Sequence, residues 1–399
     1  GMFAKVAANN SLYTTKNSGT ITLGDSSGLA NPSVGMYTNA SSVGTNPLIN
    51  TGKITVGNNG IGMYGFEQDT TGDITTGNTG IGIYSQGGDV NIGSTGTTPK
   101  ITVGDTNATA VFTTGSGQTI TSTNADYNIG DNSYGFVNVG TGNTLNISGG
   151  SATLTDKGVF IYSNDVSGNI TNSTKITSTG STGYNYGVFS TGTVNNSGDI
   201  TLTNGIGNVG VYAINNGNIT NSGNITLGAS TSTDRSVGII VDNATVNNTG
   251  NIVVNGDYGI GNYSSGSGST LNNSGDITLT GDETIGNYGV TGSNINLNSG
   301  TVTLTGNKST GYYLDAGTGS TIASGVKIDV TGEESNGVYA NSGSSLTYDG
   351  DTTVDGDAAY GLIVDGSSNV NATGGTLTVK GASGINGTSS GANTNRGSA

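Results

Sequence analysis

Asn196-Ser197-Gly198-Asp199-Ile200-Thr201-Leu202 returns as Asn221-Ser222-Gly223-Asn224-Ile225-Thr226-Leu227, as Asn248-Thr249-Gly250-Asn251-Ile252-Val253-Val254 and as Asn273-Ser274-Gly275-Asp276-Ile277-Thr278-Leu279. A fifth copy reads Asn298-Ser299-Gly300-Thr301-Val302-Thr303-Leu304. The glycine column runs through positions 198, 223, 250, 275, 300, 325, 350 and 375, so the spacings are 25, 27 and then 25 throughout. Self-similarity at that period marks a solenoid, in which each repeat buries its core only by stacking on its neighbours. Looser copies reach toward the N-terminus, among them Gly19-Thr20-Ile21-Thr22-Leu23, Gly52-Lys53-Ile54-Thr55-Val56, Lys100-Ile101-Thr102-Val103 and Lys175-Ile176-Thr177, for about 15 turns in all.

Each turn holds three apolar runs. One is Ile-Thr-Leu. A second is Val209-Gly210-Val211-Tyr212, echoed by Val34-Gly35-Met36-Tyr37, Ile61-Gly62-Met63-Tyr64 and Ile81-Gly82-Ile83-Tyr84. The third is short and precedes the turn, as at Val194, Ile219, Val246 and Leu271. All alternate with period 2 and are rich in β-branched residues, which is the strand signature. Three strands in about 25 residues predict an all-β chain, a parallel β-helix of triangular section, right-handed by the rule for parallel crossovers. Like strands stacked roughly 4.8 Å apart give a rod on the order of 70 Å long.

Within Ile200-Thr201-Leu202 the Ile and Leu are expected inward. Within Val209-Gly210-Val211-Tyr212 the first and third places are expected inward and the Tyr outward. The Asn two residues before the turn, at 172, 196, 221, 248, 273 and 298, is expected to form an amide ladder. The turn Gly is expected to supply positive φ.

Gly is 73 of 399 residues, yet the periodic Ile, Val and Leu argue against disorder. Residues 1–382 read as one solenoid and residues 383–399 as a frayed last turn or a linker. Net charge is −15 with eleven basic residues, which argues against nucleic acid as a partner. The chain has no Cys and no His. No apolar run is long enough for a membrane helix. Gly1-Met2 reads as a cloning remnant, and without a legible cap at that end the chain is expected to be a fragment of a longer rod.

The Asn-Ser-Gly-Asp-Ile-Thr-Leu turns interleaved with Val-Gly-Val-Tyr runs, over about residues 10 to 380, resemble the passenger domains of large type V autotransporters, the fusobacterial surface adhesins above all. The resemblance implies a signal peptide upstream, a C-terminal outer-membrane β-barrel and display on the bacterial cell surface. It also implies adhesion to host cells or other bacteria through a glycan or protein receptor, with no cofactor. It shares no binding motif that would assign ligand residues.

Catalytic candidates are thin. Gly24-Asp25-Ser26-Ser27-Gly28 is similar to a serine-protease nucleophile stretch with one Ser inserted, but a Ser-His-Asp triad needs an imidazole. A polysaccharide lyase or hydrolase needs convergent acids, whereas Asp73, Asp199 and Asp276 follow the turn Gly and read as solvated loop charges. Asp349, Asp351, Asp355 and Asp357 form the densest acidic cluster, spread over two corners, and no metal site is assigned.

The sharpest candidate is an aromatic column. Tyr37, Tyr64, Tyr84, Phe189, Tyr212, Tyr288, Tyr313 and Tyr339 are expected on one face, with gaps at Val137, Ile240, Gly261 and Ile363. Exposed rings stack on sugars or partner side chains, and Tyr adds a hydroxyl. Stacked on one another, the same rings are equally a structural device. Arg235, the one Arg inside the rod, lies in an insertion at 229–236. Further insertions at 24–33, 40–47 and 87–99 are candidate binding loops. The reading is a non-enzymatic adhesin, with a structural stalk or, third, a polysaccharide-degrading enzyme as the alternatives.

Overall fold

The computed structural model describes residues 1–5, 14–41, 47–317, 319–380 and 387–390. Among them there is no helix. Three parallel sheets form a β-solenoid of about 14 turns with about 25 residues per turn. The chain divides into two compact units, Gly1–Ile200 and Thr201–Ala399.

In the first unit the first sheet stacks Met2–Ala4, Val34–Thr38, Ile61–Gly65, Ile81–Ser85 and onward to Tyr186–Ser190. The second begins with Thr15–Asn17 and Leu48–Asn50 and the third with Thr20–Leu23 and Lys53–Val56. In the second unit the first sheet runs from Val209–Ile214 to Tyr360–Val364 and the second from Asn218–Asn221 to Asn369–Ala372. The third runs from Ile225–Leu227 to Thr376–Lys380, whose far edge pairs antiparallel with Gly387–Ser390. Most of the 40–47 insertion and most of the segment from 383 lie outside the described residues.

The core follows the expected alternation in the third sheet. Ile225 and Leu227 are fully buried and Thr226 between them is half-exposed. In-register stacking puts Ile54 on Ile74 and Ile74 on Ile101. Burying each such aliphatic contributes about 1.5–3 kcal/mol, repeated turn after turn.

The first sheet departs from simple alternation. Its glycine, as at Gly210, faces the core: a Cβ there would lie 2.6 Å from Cγ2 of Ile225. Pairing passes from Val34↔Ile61 to Met36↔Met63 in unbroken register, and between them Gly35 and Gly62 approach closely: a Cβ on Gly35 would lie 2.5 Å from the Gly62 carbonyl oxygen. The first-place residues Ile61, Ile81, Val209, Val237 and Ile260 are buried, and in the first unit Val34, Ile61 and Ile81 also border an external groove beside Tyr37, Tyr64 and Tyr84.

The asparagine ladder forms from buried residues that end the second-sheet strands. Asn221 Nδ2 donates to Asn248 Oδ1 at 2.7 Å, and Asn248 Nδ2 to Asn273 Oδ1 at 2.7 Å. In the first unit Asn17 donates to Asn50 at 2.8 Å and Asn172 to Asn196 at 2.7 Å. Each amide also closes its own turn, as Asn248 Nδ2 does on the Gly250 carbonyl at 2.7 Å. Asn298 is not a rung. Asn273 pairs with Leu297, Leu297 with Ile322 and Ile322 with Tyr348, so the column turns apolar and Asn298 is exposed.

The turn glycines at 52, 72, 198, 250 and 275 do not adopt positive φ, contrary to expectation; of the column, Gly300, Gly325 and Gly375 do. The reason for glycine at 250 and 275 is close stacking. A Cβ on Gly275 would collide with the carbonyl oxygen of Gly250, and one on Gly250 with that of Gly223.

Candidate functional site

The outward fourth place of the first sheet carries rings in register. In the first unit Phe3, Tyr37, Tyr64, Tyr84 and Phe112 succeed one another at centroid separations of 5.2, 5.2, 4.9 and 5.2 Å. Val137 interrupts the column, and Tyr162 and Phe189 resume it at 5.2 Å, 9° from parallel. In the second unit Tyr212 pairs with Ile240 and Ile240 with Tyr263. Tyr263, Tyr288, Tyr313 and Tyr339 then follow at 5.5, 5.0 and 5.0 Å.

The expected column is thus in place, and it is longer than read. Phe3, Phe112 and Tyr162 belong to it. The expected gap at Gly261 is corrected: Gly261 is the inward glycine of its strand and Tyr263 occupies the outward place. The signal was present as Ile260-Gly261-Asn262-Tyr263, in which Asn replaces the usual third-place aliphatic. The other Tyr positions differ: Tyr127 and Tyr312 point inward, fully buried, their hydroxyls bonded to Ser122 Oγ and the Ile295 carbonyl, each at 2.6 Å.

The first insertion and the column come together. Leu29, Ala30 and Pro32 form one wall of a groove of about 600 Å³, with Val34, Ile61 and Ile81 along its floor and Tyr37, Tyr64, Tyr84 and Phe112 as the other wall. Leu29 is 43% exposed. Asp25 and Ser26 anchor this insertion. Asn58 N donates to Asp25 Oδ1 at 2.8 Å, Ser26 Oγ donates to the Asn59 carbonyl at 3.0 Å, and Ser33 N donates to Ser26 Oγ at 3.0 Å. The protease-like stretch is therefore a corner brace.

Burial first, then the neighbouring Tyr84 and Tyr37, raises the Tyr64 phenol above its usual value. Burial does the same at Tyr288 and Tyr313. These hydroxyls stay protonated near neutral pH, able to donate as well as accept. Gln86 Nε2 donates to the Tyr64 hydroxyl.

The second insertion occupies the same corner of its turn, between Ile225–Leu227 and Val237–Asp242. Arg235 there donates from Nη1 to the Tyr258 carbonyl at 3.0 Å, with its guanidinium carbon 5.7 Å from the Tyr258 ring centre.

Asp73, Asp199 and Asp276 are exposed, as expected of solvated loop charges, and Asp73 and Asp276 also carry turn-to-turn bonds. Lys100 N donates to Asp73 Oδ1 at 2.9 Å, and Thr301 N to Asp276 Oδ1 at 2.8 Å. The corner before the first sheet does the same: Asp131 N to Asp105 Oδ1 at 2.9 Å, Asp156 N to Asp131 Oδ1 at 3.1 Å, Asp282 N to Asp257 Oδ1 at 2.9 Å. In the acidic cluster Asp351 Oδ1 accepts from Thr376 N at 2.9 Å, while Asp355 lies at the opposite end of the strand Asp351–Asp355. Sequence reasoning missed Asp165, which is buried and accepts from the N–H of Gly142, Asn143 and Ser167 at 3.1, 2.9 and 3.1 Å.

Comparison with protein-family models, with curated proteins and with solved structures returns no match.

Proposed function

We propose that this chain is a non-enzymatic segment of a bacterial surface adhesin, carried as the passenger of a type V autotransporter and held extracellularly by a C-terminal outer-membrane β-barrel. Its partner is a glycan or protein receptor on host cells or other bacteria. The observation that carries the reading is the outward column of rings at about 5 Å spacing, flanked in the first unit by an insertion that turns it into an apolar groove. Rings packed face to face cover one another, so the column offers edges and hydroxyls, and the groove offers an apolar recess. Such contacts are individually weak. Repeated along one chain and across many chains on a cell, they give avidity. The corner carboxylates serve the turn-to-turn bonds, which favours a scaffold over polysaccharide cleavage.

A structural stalk is the second reading, favoured by the stacking itself: each ring pair contributes roughly 0.2–1 kcal/mol without any ligand. Saturable binding of the fluorescently labelled chain to host and bacterial cells is the expected result. Absence of binding at every concentration, with binding by a longer protein, selects the stalk. Release of reducing ends from a polysaccharide would instead select the enzyme.

A further inference from the structure

Oxidation has few places to go in this chain. Cys and Met are the usual sites of oxidative attack, and Trp is the side chain that most readily gives up one electron. The chain has no Cys and no Trp. Of its three methionines, Met36 and Met63 are fully buried and Met2 is part-exposed. That leaves the phenols. Tyr127 and Tyr312 are sealed in the core. Tyr37, Tyr64 and Tyr84 in the first unit, and Tyr288, Tyr313 and Tyr339 in the second, are part-exposed.

These six rings form two ladders of like neighbours. Tyr37 pairs in register with Tyr64 and Tyr64 with Tyr84. Their ring centres lie 5.2 and 4.9 Å apart, with planes 37° and 26° from parallel. Tyr288 pairs with Tyr313 and Tyr313 with Tyr339. Both of those pairs have centres 5.0 Å apart, with planes 14° and 36° from parallel. Stacking from the same place on successive strands sets the hydroxyl and ortho carbons of one ring beside those of the next, as in cross-β aromatic stacks. Each ladder ends at a poorer partner. Phe112 follows Tyr84 and has no hydroxyl. Tyr263 meets Tyr288 edge to face, at 69° and 5.5 Å.

We infer that the two ladders are oxidative modification sites, at which a peroxide, used by a haem peroxidase as a one-electron oxidant, couples tyrosines of adjacent turns into dityrosine. Each phenol loses one electron and, being neutral near pH 7, its hydroxyl proton. The two phenoxyl radicals join through their ortho carbons in one C–C bond. The two ortho hydrogens then move to the oxygens and restore both phenols. The pair has lost two hydrogen atoms, and one hydrogen peroxide has become two waters. The stack supplies the proximity that free tyrosines lack. A Tyr288–Tyr313 bond closes a loop of 25 residues between successive turns. Like a disulfide, it removes entropy from the unfolded chain. The result is a covalent staple in a chain without Cys, and it is independent of what the chain binds.

The test is treatment of the dilute full chain with hydrogen peroxide and a haem peroxidase, read by dityrosine fluorescence, intact mass and mass-spectrometric mapping of the linked peptides. The expected product is a monomer lighter by two hydrogens for each bond, linked within Tyr37–Tyr64–Tyr84 and within Tyr288–Tyr313–Tyr339, and with a raised urea midpoint. The urea-unfolded chain gives about tenfold less dityrosine or lower, because the proximity is gone. Tyr313→Phe keeps the ring and the stack, removes the second-unit links and leaves those of the first unit. Tyr64→Phe does the reverse. Links scattered over tyrosines outside the ladders, links between chains alone, oxygen added at Met2 with no dityrosine, or equal yield from the unfolded chain each overturns the inference. An unchanged urea midpoint in the linked protein overturns the staple.

Discussion

Asn248 and Asn298 open the same Asn-Ser/Thr-Gly turn in the sequence, yet the structure gives them opposite roles, and a pair of alanine substitutions separates them. Asn248 is 1% exposed and makes three side-chain hydrogen bonds, from Asn221, to Asn273 and to the Gly250 carbonyl, all at 2.7 Å. A neutral hydrogen bond contributes about 1 kcal/mol net, so Asn248→Ala costs about 3 kcal/mol, and more because Asn273 Oδ1 is left buried without that donor. Asn298 is exposed and its column position is filled by Leu297, so Asn298→Ala stays within about 0.5 kcal/mol of wild type. Urea unfolding followed by circular dichroism reads both, with the midpoint shift converted at constant slope. A lowered slope for Asn248→Ala would itself report loss of coupling between turns. An Asn248→Ala midpoint within 0.5 kcal/mol of wild type, or equal losses at the two sites, refutes the ladder as the reason for the motif.

Three further outcomes follow from particular contacts. Gly275→Ala forces the corner away from the Gly250 carbonyl and costs about 1–3 kcal/mol by the same titration, although no unusual φ is involved. At Asp165 burial alone would raise the carboxyl, but the N–H groups of Asn143, Gly142 and Ser167 and the Ser167 hydroxyl outweigh it and hold the carboxyl below its ordinary value. Its folded-state pKa is therefore depressed below the unfolded value of about 3.9, so its stabilisation is complete above about pH 4 and lost as pH falls through the folded value. The stability gap between wild type and Asp165→Asn, measured by urea midpoints, narrows on acidification below pH ~4; a gap independent of pH contradicts it. Tyr64→Ala removes the contacts to Tyr37 and Tyr84 and costs about 1 kcal/mol, whereas Tyr64→Phe keeps the stack and costs less.

The solenoid was legible because its signal repeats: a β-branched run every 25 residues leaves few other ways to bury Ile200, Ile225, Ile252 and Ile277. What escaped was local. Val-Gly-Val-Tyr looks like plain alternation, but the glycine faces the third-sheet Ile, where a side chain has no room, and the groove that Val34, Ile61 and Ile81 border is not written in the run. Misaligning the same run hid Tyr263 behind Gly261. Asn298 matched its motif yet fell one residue out of register, a shift that depends on pairing between turns and not on the turn's own sequence. The bonds of the exposed corner acids escaped because their partners, backbone N–H groups one turn away, carry no sequence identity. The meeting of the 24–33 insertion with the column depends on where the loop folds back.

Binding of the labelled chain to cells, wild type beside a variant with Tyr37, Tyr64 and Tyr84 changed to Ser, tests the adhesive face most directly. The account predicts saturable wild-type binding and loss of most of it in the variant, with the β-rich circular dichroism spectrum retained. Full binding by a folded variant contradicts the account and removes the aromatic face as the point of attachment.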